Sequence, residues 1–322
     1  MFGFIKNIFP QKIIGIDIGT HAIKIVEISS RGKQKKLENY SSVKSELVAK
    51  EPLISPQGVM QNDRIAKAIK EMLLEARIKT KSAIFSIPDF STLCATFEIP
   101  PMSEKEIAGA VQFNAARYLT LPVSEVTLDW RVSLTGRGTS SSKVFVVAVP
   151  NQTVEDYKAI AHSAGLELNA VEAEVFAMSR AIAKDTLNCI CVLDIGVQSS
   201  TINIIEKGFL RRSYTVSFSA RQLSAQDQSA SSTLASLAQE INSSITEFLQ
   251  SEQKQIEEIY CTGGGAQMPG FVENLSKELG KKVSLPNSFD QVAYPSSLRE
   301  TLRRLSSSFT VAVGAALDGL EI

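Results

Sequence analysis

Histidine and cysteine are scarce in this sequence: two of the first, His21 and His162, and four of the second in 322 residues. That argues against a zinc centre, which draws its ligands from these residue types in closely spaced pairs. Cys189 and Cys191 form the one close pair; two residues apart on a strand, their thiols face the same way with no second pair nearby. With Cys94 and Cys261 they lie in strand-like apolar contexts and read as reduced core residues of a cytosolic protein. Charge of one sign is also lacking. With 34 basic and 34 acidic residues the net is zero, so no basic field argues for nucleic acid or an acidic membrane. No apolar run nears the roughly 18 residues of a bilayer span, and a soluble chain is expected. The leader Met1–Pro10 carries Phe2, Phe4, Ile5, Ile8 and Phe9 but has no long apolar core or small-residue cleavage site. It reads equally as a short amphipathic turn on a membrane or partner and as a segment packed on the protein itself.

What is present is a repeated acidic turn. Ile13-Ile14-Gly15-Ile16-Asp17-Ile18-Gly19-Thr20 is an apolar run ending in Asp-Ile-Gly-Thr, and a second alternating apolar run begins just beyond it. This predicts a strand, a tight turn and a returning strand. Gly19 has no Cβ, so turn amides can approach an anion, while Thr20 and Lys24 add a hydroxyl and a cation. Asp17 can hold a hydrated Mg²⁺ against that anion. The pattern recurs from Cys191 to Ile205, with Asp194 on Asp17, Gly196 on Gly19 and Thr201 on Lys24, and with Ser199 in the turn. A third signal is Thr262-Gly263-Gly264-Gly265-Ala266, a strand end running into three glycines and then a helical pattern. Such a loop lets backbone pass a ribose or α-phosphate without side-chain interference. Each piece alone fits an ordinary turn. The two acidic turns look like the two halves of a nucleotide phosphate clamp, in a chain of two related halves.

Along the chain, the basic run Arg31–Lys36 predicts a solvated turn, with a strand at about 37–48 and a helix opened by Asp63. Strands follow at 83–88 and 92–99, both stopped by proline. Ser103 and Glu106 form a capping box for a helix reaching about Tyr118, with Ile107, Ala110, Val111 and Ala115 inward. Then come a strand around 128–132, a polar hairpin loop at 136–142, a strand at 144–149 and a helix capped by Asn151 and ended by Gly165. The block at about 85–165 reads as a small α/β module inserted into the first lobe. A strand at 166–171 leads to a helix from Glu172. The second lobe has a serine-rich mobile loop at 219–232, a long periodic helix at 231–252 and a helix at 271–279 stopped by Gly280. A last helix at 308–317 is built of small residues that would allow close contact between the lobes.

In this order, the three loops match the phosphate-one, phosphate-two and adenosine motifs of the superfamily of actin, the heat-shock chaperones and the sugar kinases. Placing the insert between the first phosphate hairpin and the connecting helix narrows the match to the FtsA and PilM families; actin and MreB carry theirs elsewhere. The sequence resembles the PilM family of type IV pilus assembly proteins over nearly its whole length. The resemblance rests on Gly15-Ile16-Asp17-Ile18-Gly19-Thr20 with Lys24, Ala173-Glu174-Val175-Phe176-Ala177, the glycine loop and Ala312-Val313-Gly314-Ala315-Ala316-Leu317. FtsA-like proteins usually continue into a linker and an amphipathic tail, whereas this sequence stops at Ile322.

The resemblance implies an actin-like, ribonuclease H-like fold. Lobe one would span 12–190, with subdomain 1C inserted at about 85–165; lobe two 191–307, with subdomain 2B at about 212–258; and 308–322 would return to lobe one. It also implies ATP between the lobes with Mg²⁺ at Asp17 and Asp194, and Glu174 orienting the attacking water, although related helices often read Glu-Pro where this one reads Glu174-Val175. A cytoplasmic location beside the inner membrane is implied, together with other pilus assembly components. So is a partner, the N-terminal tail of a PilN-like membrane protein in a groove between subdomains 1A and 1C. Two other readings stand beside this one: an FtsA-like filament protein, and a small-molecule kinase, which needs a general-base carboxylate between the lobes that no acidic motif supplies.

Overall fold

The computed structural model describes residues 11–55, 58–133, 141–182, 189–197, 199–216, 218–223, 228–252 and 254–320. The apolar leader and residues 136–140 of the expected hairpin loop at 136–142 fall outside them. The chain opens on a meander, β1 (Gln11–Ile18), β2 (Ala22–Arg31) and β3 (Gln34–Lys44). β1 is buried on both faces from Ile13 onward, as its continuous apolar run requires. The expected basic turn shrinks to Gly32 and Lys33, because Gln34 to Lys36 pair with β2. The third strand ends earlier than its pattern suggested, and Ser45–Val48 forms a helical turn, α1.

Next come α2 (Asn62–Glu75) and β4 (Ser82–Ile87), then β5 (Leu93–Ile99), α3 (Glu104–Ala115), β6 (Val126–Ser133) and β7 (Ser142–Pro150). The capping box of α3 is present, with Ser103 N–H donating to Glu106 Oε2 at 2.9 Å. β5, β7 and β6 make a separate three-stranded antiparallel sheet, covered by α3 through Val111 and Ala115. α4 (Asn151–Ala164) does not use Asn151 as its cap; Asn151 is the first helical residue. Its side chain accepts from Thr127 and donates to the Ser124 carbonyl, tying the helix start to the small sheet. Within the block expected as the insert, β4 belongs to the first-lobe sheet and α4 packs on that sheet's core through Tyr157 and Ile160.

β8 (Glu167–Ala173) and α5 (Glu174–Ile182) follow; α5 starts two residues later than expected, because Glu172 and Ala173 extend the pairing of β8 with β4. The second half runs β9 (Cys189–Ile195), β10 (Ser200–Glu206), β11 (Phe209–Val216), α6 (Ala220–Leu223), α7 (Gln228–Glu252), β12 (Glu258–Thr262), α8 (Phe271–Leu279), β13 (Val283–Ser284) and α9 (Arg299–Asp318). The short helix α6 lies inside the stretch expected as a mobile loop.

The duplication shows in the sheets. Strand order is β3-β2-β1-β4-β8 in one and β11-β10-β9-β12-β13 in the other. In each, the first three strands form an antiparallel meander and the fourth runs parallel to the first. Helix α9 is longer than its small-residue stretch because Leu302 continues the apolar face toward its start. It lies on β1 and α5, and the chain has already rejoined the first sheet at Ala293, which bridges to Lys36. All four cysteines are free. Among the described residues no helix is long and apolar enough to cross a membrane.

Candidate functional site

The two acidic turns have the same geometry. In the first hairpin Asp17 sits opposite Lys24; in the second Asp194 sits opposite Thr201. Gly19 N–H closes its turn onto the Ala22 carbonyl at 3.0 Å, and Gly196 N–H onto the Ser199 carbonyl at 3.1 Å. A Cβ at Gly196 would stand 2.5 Å from that carbonyl oxygen. This corrects the expected reason for the glycines. They let the hairpins close, and their own amides are engaged within the turn rather than left for an anion.

The glycine loop is reached through β12, whose parallel pairing with β9 sets Thr262 beside Asp194. Thr262 Oγ1 donates to Asp194 Oδ1 at 3.0 Å. Gly263 takes φ 83° and donates to the Ser307 carbonyl at 3.0 Å, a conformation that favours glycine. Gly265 is held against Ile195 and Ala220, with no room for a Cβ. Gly264 has neither constraint, and a Cβ there would meet nothing within 4 Å. Of the three glycines, it is the one whose backbone stands open.

These segments converge on one cleft between the lobes. Asp17, Gly19, Thr20 and Lys24 line it from the first hairpin; Asp194, Gly196, Ser199 and Thr201 from the second; Gly263 and Gly264 from the loop; and Glu174 from the start of α5. Gly265 lies outside it, on an adjoining cavity that shares Thr20, His21, Val197 and Gly264 with the cleft. The cleft offers about 130 Å³ and the adjoining cavity about 580 Å³. α9 forms part of the wall with Ser307, Thr310 and Val311, which the sequence reading did not include.

It also missed Asp89. β4 runs parallel to β1, so the residues just past its end reach the cleft beside Asp17, as ligand-facing residues do at the carboxyl ends of parallel strands. An acidic residue directly after Pro88 was the available signal. Asp89 Oδ2 accepts from Thr201 Oγ1 at 3.2 Å and from Asn203 Nδ2 at 3.5 Å. Its backbone N–H reaches Glu174 Oε2 at 3.4 Å.

The cleft therefore gathers four carboxylates around one ammonium. Lys24 Nζ lies 2.7 Å from Asp17 Oδ2. Burial alone would lower the Lys24 pKa, yet Asp17, with smaller help from Asp194 and Glu174, holds it above its usual value. Glu174 is pushed well above the carboxylate range, by burial first and then by Asp17, Asp89 and Asp194. Asp89 rises to about 6 from burial and the Asp194 charge; burial also raises Asp194, against the Thr262 hydrogen bond. Negative charge in the cleft is thus under-compensated. Asp17 Oδ1, Asp89 Oδ1 and Ser307 Oγ are buried without a hydrogen-bond partner in the protein. Orphaned carboxylate oxygens on one cleft are what a bound cation satisfies. Among the described residues no three metal-ligating side chains are grouped for direct coordination. Mg²⁺ keeps several waters and takes one or two carboxylates together with ligand phosphates.

The family model described as type IV pilus assembly protein PilM matches residues 15–226 and 232–320. Among solved structures, the chain is similar to one titled PilM-PilN type IV pilus biogenesis complex, with TM-score 0.85 and 24% identity over 96% of this chain and 99% of that one. It is also similar to the ethanolamine utilization protein EutJ from Carboxydothermus hydrogenoformans, with TM-score 0.57 and 15% identity over 97% and 91% of the two chains. A third likeness is to the cytoplasmic domain of EpsL, an inner-membrane component of the type II secretion system of Vibrio cholerae, with TM-score 0.50 and 13% identity over 94% and 98%. At these identities the likenesses establish the fold, the duplicated two-lobe architecture of the actin-like proteins.

Proposed function

The chain belongs to the PilM family of type IV pilus assembly proteins, and from that premise we propose that it binds Mg-ATP between its lobes and the N-terminal tail of a PilN-like inner-membrane protein beside its inserted sheet. It thereby ties cytoplasmic pilus machinery to an inner-membrane complex, and its membrane association runs through that partner. The observation that carries the nucleotide reading is the meeting of both Asp-Ile-Gly hairpins and the glycine loop on one cleft.

In this reading the phosphates lie between the hairpins, and the nucleoside passes Gly264 into the larger cavity. Asp17, with Asp194 opposite, would hold the hydrated Mg²⁺, which would supply the positive charge that the carboxylates call for. Lys24, Thr20 and Thr201 present donors to phosphate oxygens. Glu174 is placed to orient a water, and burial first, then Asp17, Asp89 and Asp194, raise its pKa above the ordinary carboxylate range. In this reading binding comes first and hydrolysis second. A kinase reading would use Asp89, whose Oδ2 is held by Thr201 and Asn203 while Oδ1 has no partner, and incubation with ATP and a panel of sugars separates the two readings.

The groove for the tail is the cavity of about 300 Å³ where the first lobe meets the inserted sheet, lined by Phe90, Leu93, Leu121, Val126 and Ala148. Its apolar walls suit the side chains of an extended peptide. The structure titled as a PilM-PilN complex is similar in fold, which supports a partner of this kind. The test is fluorescence anisotropy with a labelled tail peptide and the full chain. Tail binding that changes between nucleotide-free and Mg-ATP-loaded protein supports the reading, and no binding in either state overturns the partner assignment.

Gly264→Ala separates nucleotide contact from folding. With open space around the new Cβ, stability should hold within about 0.5 kcal/mol. Mg-ATP affinity by isothermal titration should fall about 10-fold or more, as a methyl intrudes on a closely approaching ligand. Unchanged affinity would remove this loop from the nucleotide site.

A further inference from the structure

We propose that the short turn Asp89–Ser91 is the relay between the two sites, with Asp89 as a latch across the cleft and Phe90 as a wall common to cleft and groove. The proposal rests on the reading of the cleft as the nucleotide site and of the groove as the tail site.

Position is the first observation. Pro88, Asp89 and Phe90 line the cleft, whereas Phe90, Ser91, Thr92 and Leu93 line the groove. The turn is stiff: Ser91 N–H donates to the Pro88 carbonyl at 2.8 Å, and Thr92 donates to the Asp89 carbonyl through both its N–H and its hydroxyl, each at 3.1 Å. A displacement at Asp89 therefore carries Phe90 with it.

The second observation is that Asp89 fastens the lobes together. It sits on the first lobe, and its Oδ2 accepts from Thr201 and Asn203 on β10 of the second. Asn203 is itself fixed within its sheet, accepting from Ser213 Oγ at 2.6 Å and donating to Thr201 Oγ1 at 3.1 Å. The Asp89 backbone N–H also reaches Glu174 Oε2, at the start of α5, at 3.4 Å. One residue thus joins the second phosphate hairpin, the helix that carries Glu174 and the edge of the groove.

Phosphate or cation entering the cleft competes for these partners, Thr201 Oγ1 and the unpartnered Asp89 Oδ1. A ligand that binds the latched and released arrangements unequally shifts their populations, and by linkage the groove's occupant must alter nucleotide affinity by the same factor.

The test uses the full chain and two readouts. Tail-peptide affinity is measured without nucleotide and with saturating Mg-ADP or Mg-ATP, in the wild type, Phe90→Leu and Asn203→Ala. Asn203 lines neither cavity. A nucleotide-dependent change of about 5-fold or more is expected in the wild type, and a ratio near one in both variants. Thermal melts and Mg-ADP titration confirm that each variant folds and still loads. Variants that keep the wild-type ratio overturn the relay. The second readout needs no peptide. A trifluoromethyl tag on Thr120→Cys, in a Cys94→Ser background, reports from the groove side, since Thr120 lines the groove and not the cleft. Its fluorine resonance should shift on adding Mg-ADP, and Asn203→Ala should abolish the shift. A shifting tag with no peptide binding rejects the partner and keeps the relay. A still tag in Mg-ADP-loaded protein that binds peptide rejects the relay and keeps the partner.

Discussion

Replacing Asp17 by alanine should abolish measurable Mg-ATP binding, an effect of about 100-fold or more if the lost charge-assisted contacts contribute about 3 kcal/mol. The same change should also destabilise the fold. Lys24 Nζ lies 2.7 Å from Asp17, with side-chain exposures of 17% and 4% for the two residues. Removing the carboxylate leaves a largely buried ammonium with its nearest counter-charge gone, which costs about 3–5 kcal/mol. Loss of binding in the single variant would therefore be ambiguous. The double variant Asp17→Ala/Lys24→Met resolves it. An apolar chain of similar length replaces the stranded cation, so the melting temperature should recover most of the loss while Mg-ATP binding stays absent. A double variant that binds Mg-ATP normally would remove the first hairpin from the site. Recovery of neither would mean that the loss of binding follows from the loss of fold.

The duplicated fold was legible because its signals are local. Asp-Ile-Gly after a continuous apolar run encodes a buried strand and a tight return, and the second copy at Asp194 keeps the same offsets. The registers Asp17 with Lys24 and Asp194 with Thr201 follow directly from that spacing. What stayed hidden depends on pairing between distant strands. Asp89 belongs to the site because β4 lies parallel to β1, and no periodicity within residues 82–93 states this. Asn151 carries the residue type of a helix cap, but tertiary contacts with Thr127 and Ser124 took its side chain. The glycines were legible as glycines but not by role. Gly264 faces open space, Gly263 needs a left-handed backbone, and Gly196 lets a turn close on Ser199. Only the surroundings separate these cases.

Gly314 shows how far those surroundings reach, and Gly314→Ala should be among the most damaging single methyl additions to this chain. α9 is wedged between β1 and α5. A Cβ at Gly15 would lie 2.1 Å from the Ala312 carbonyl oxygen, and one at Gly314 would lie 1.8 Å from that of Ala177. Both obstacles are backbone atoms, which cannot swing aside as a flexible side chain can. Arg180 adds to the constraint, donating to the Gly314 carbonyl at 2.9 Å while pairing with Glu172. On an exposed helix the same substitution is favourable by about 0.5–1 kcal/mol through backbone entropy. Gly109 on α3, exposed and with nothing within 4 Å, provides that control. Gly109→Ala should raise the melting temperature slightly. Gly314→Ala should lower stability by about 3 kcal/mol, the upper end of over-packing costs, and so reduce the melting temperature by roughly 5–10 °C. Because α5 presents Glu174 to the cleft and α9 presents Ser307 and Thr310, forcing the two helices apart should also weaken Mg-ATP binding at temperatures where the variant is still folded. Equal and small effects of the two substitutions would mean that α9 is free to shift away from α5, and that its close packing there does not fix the cleft wall.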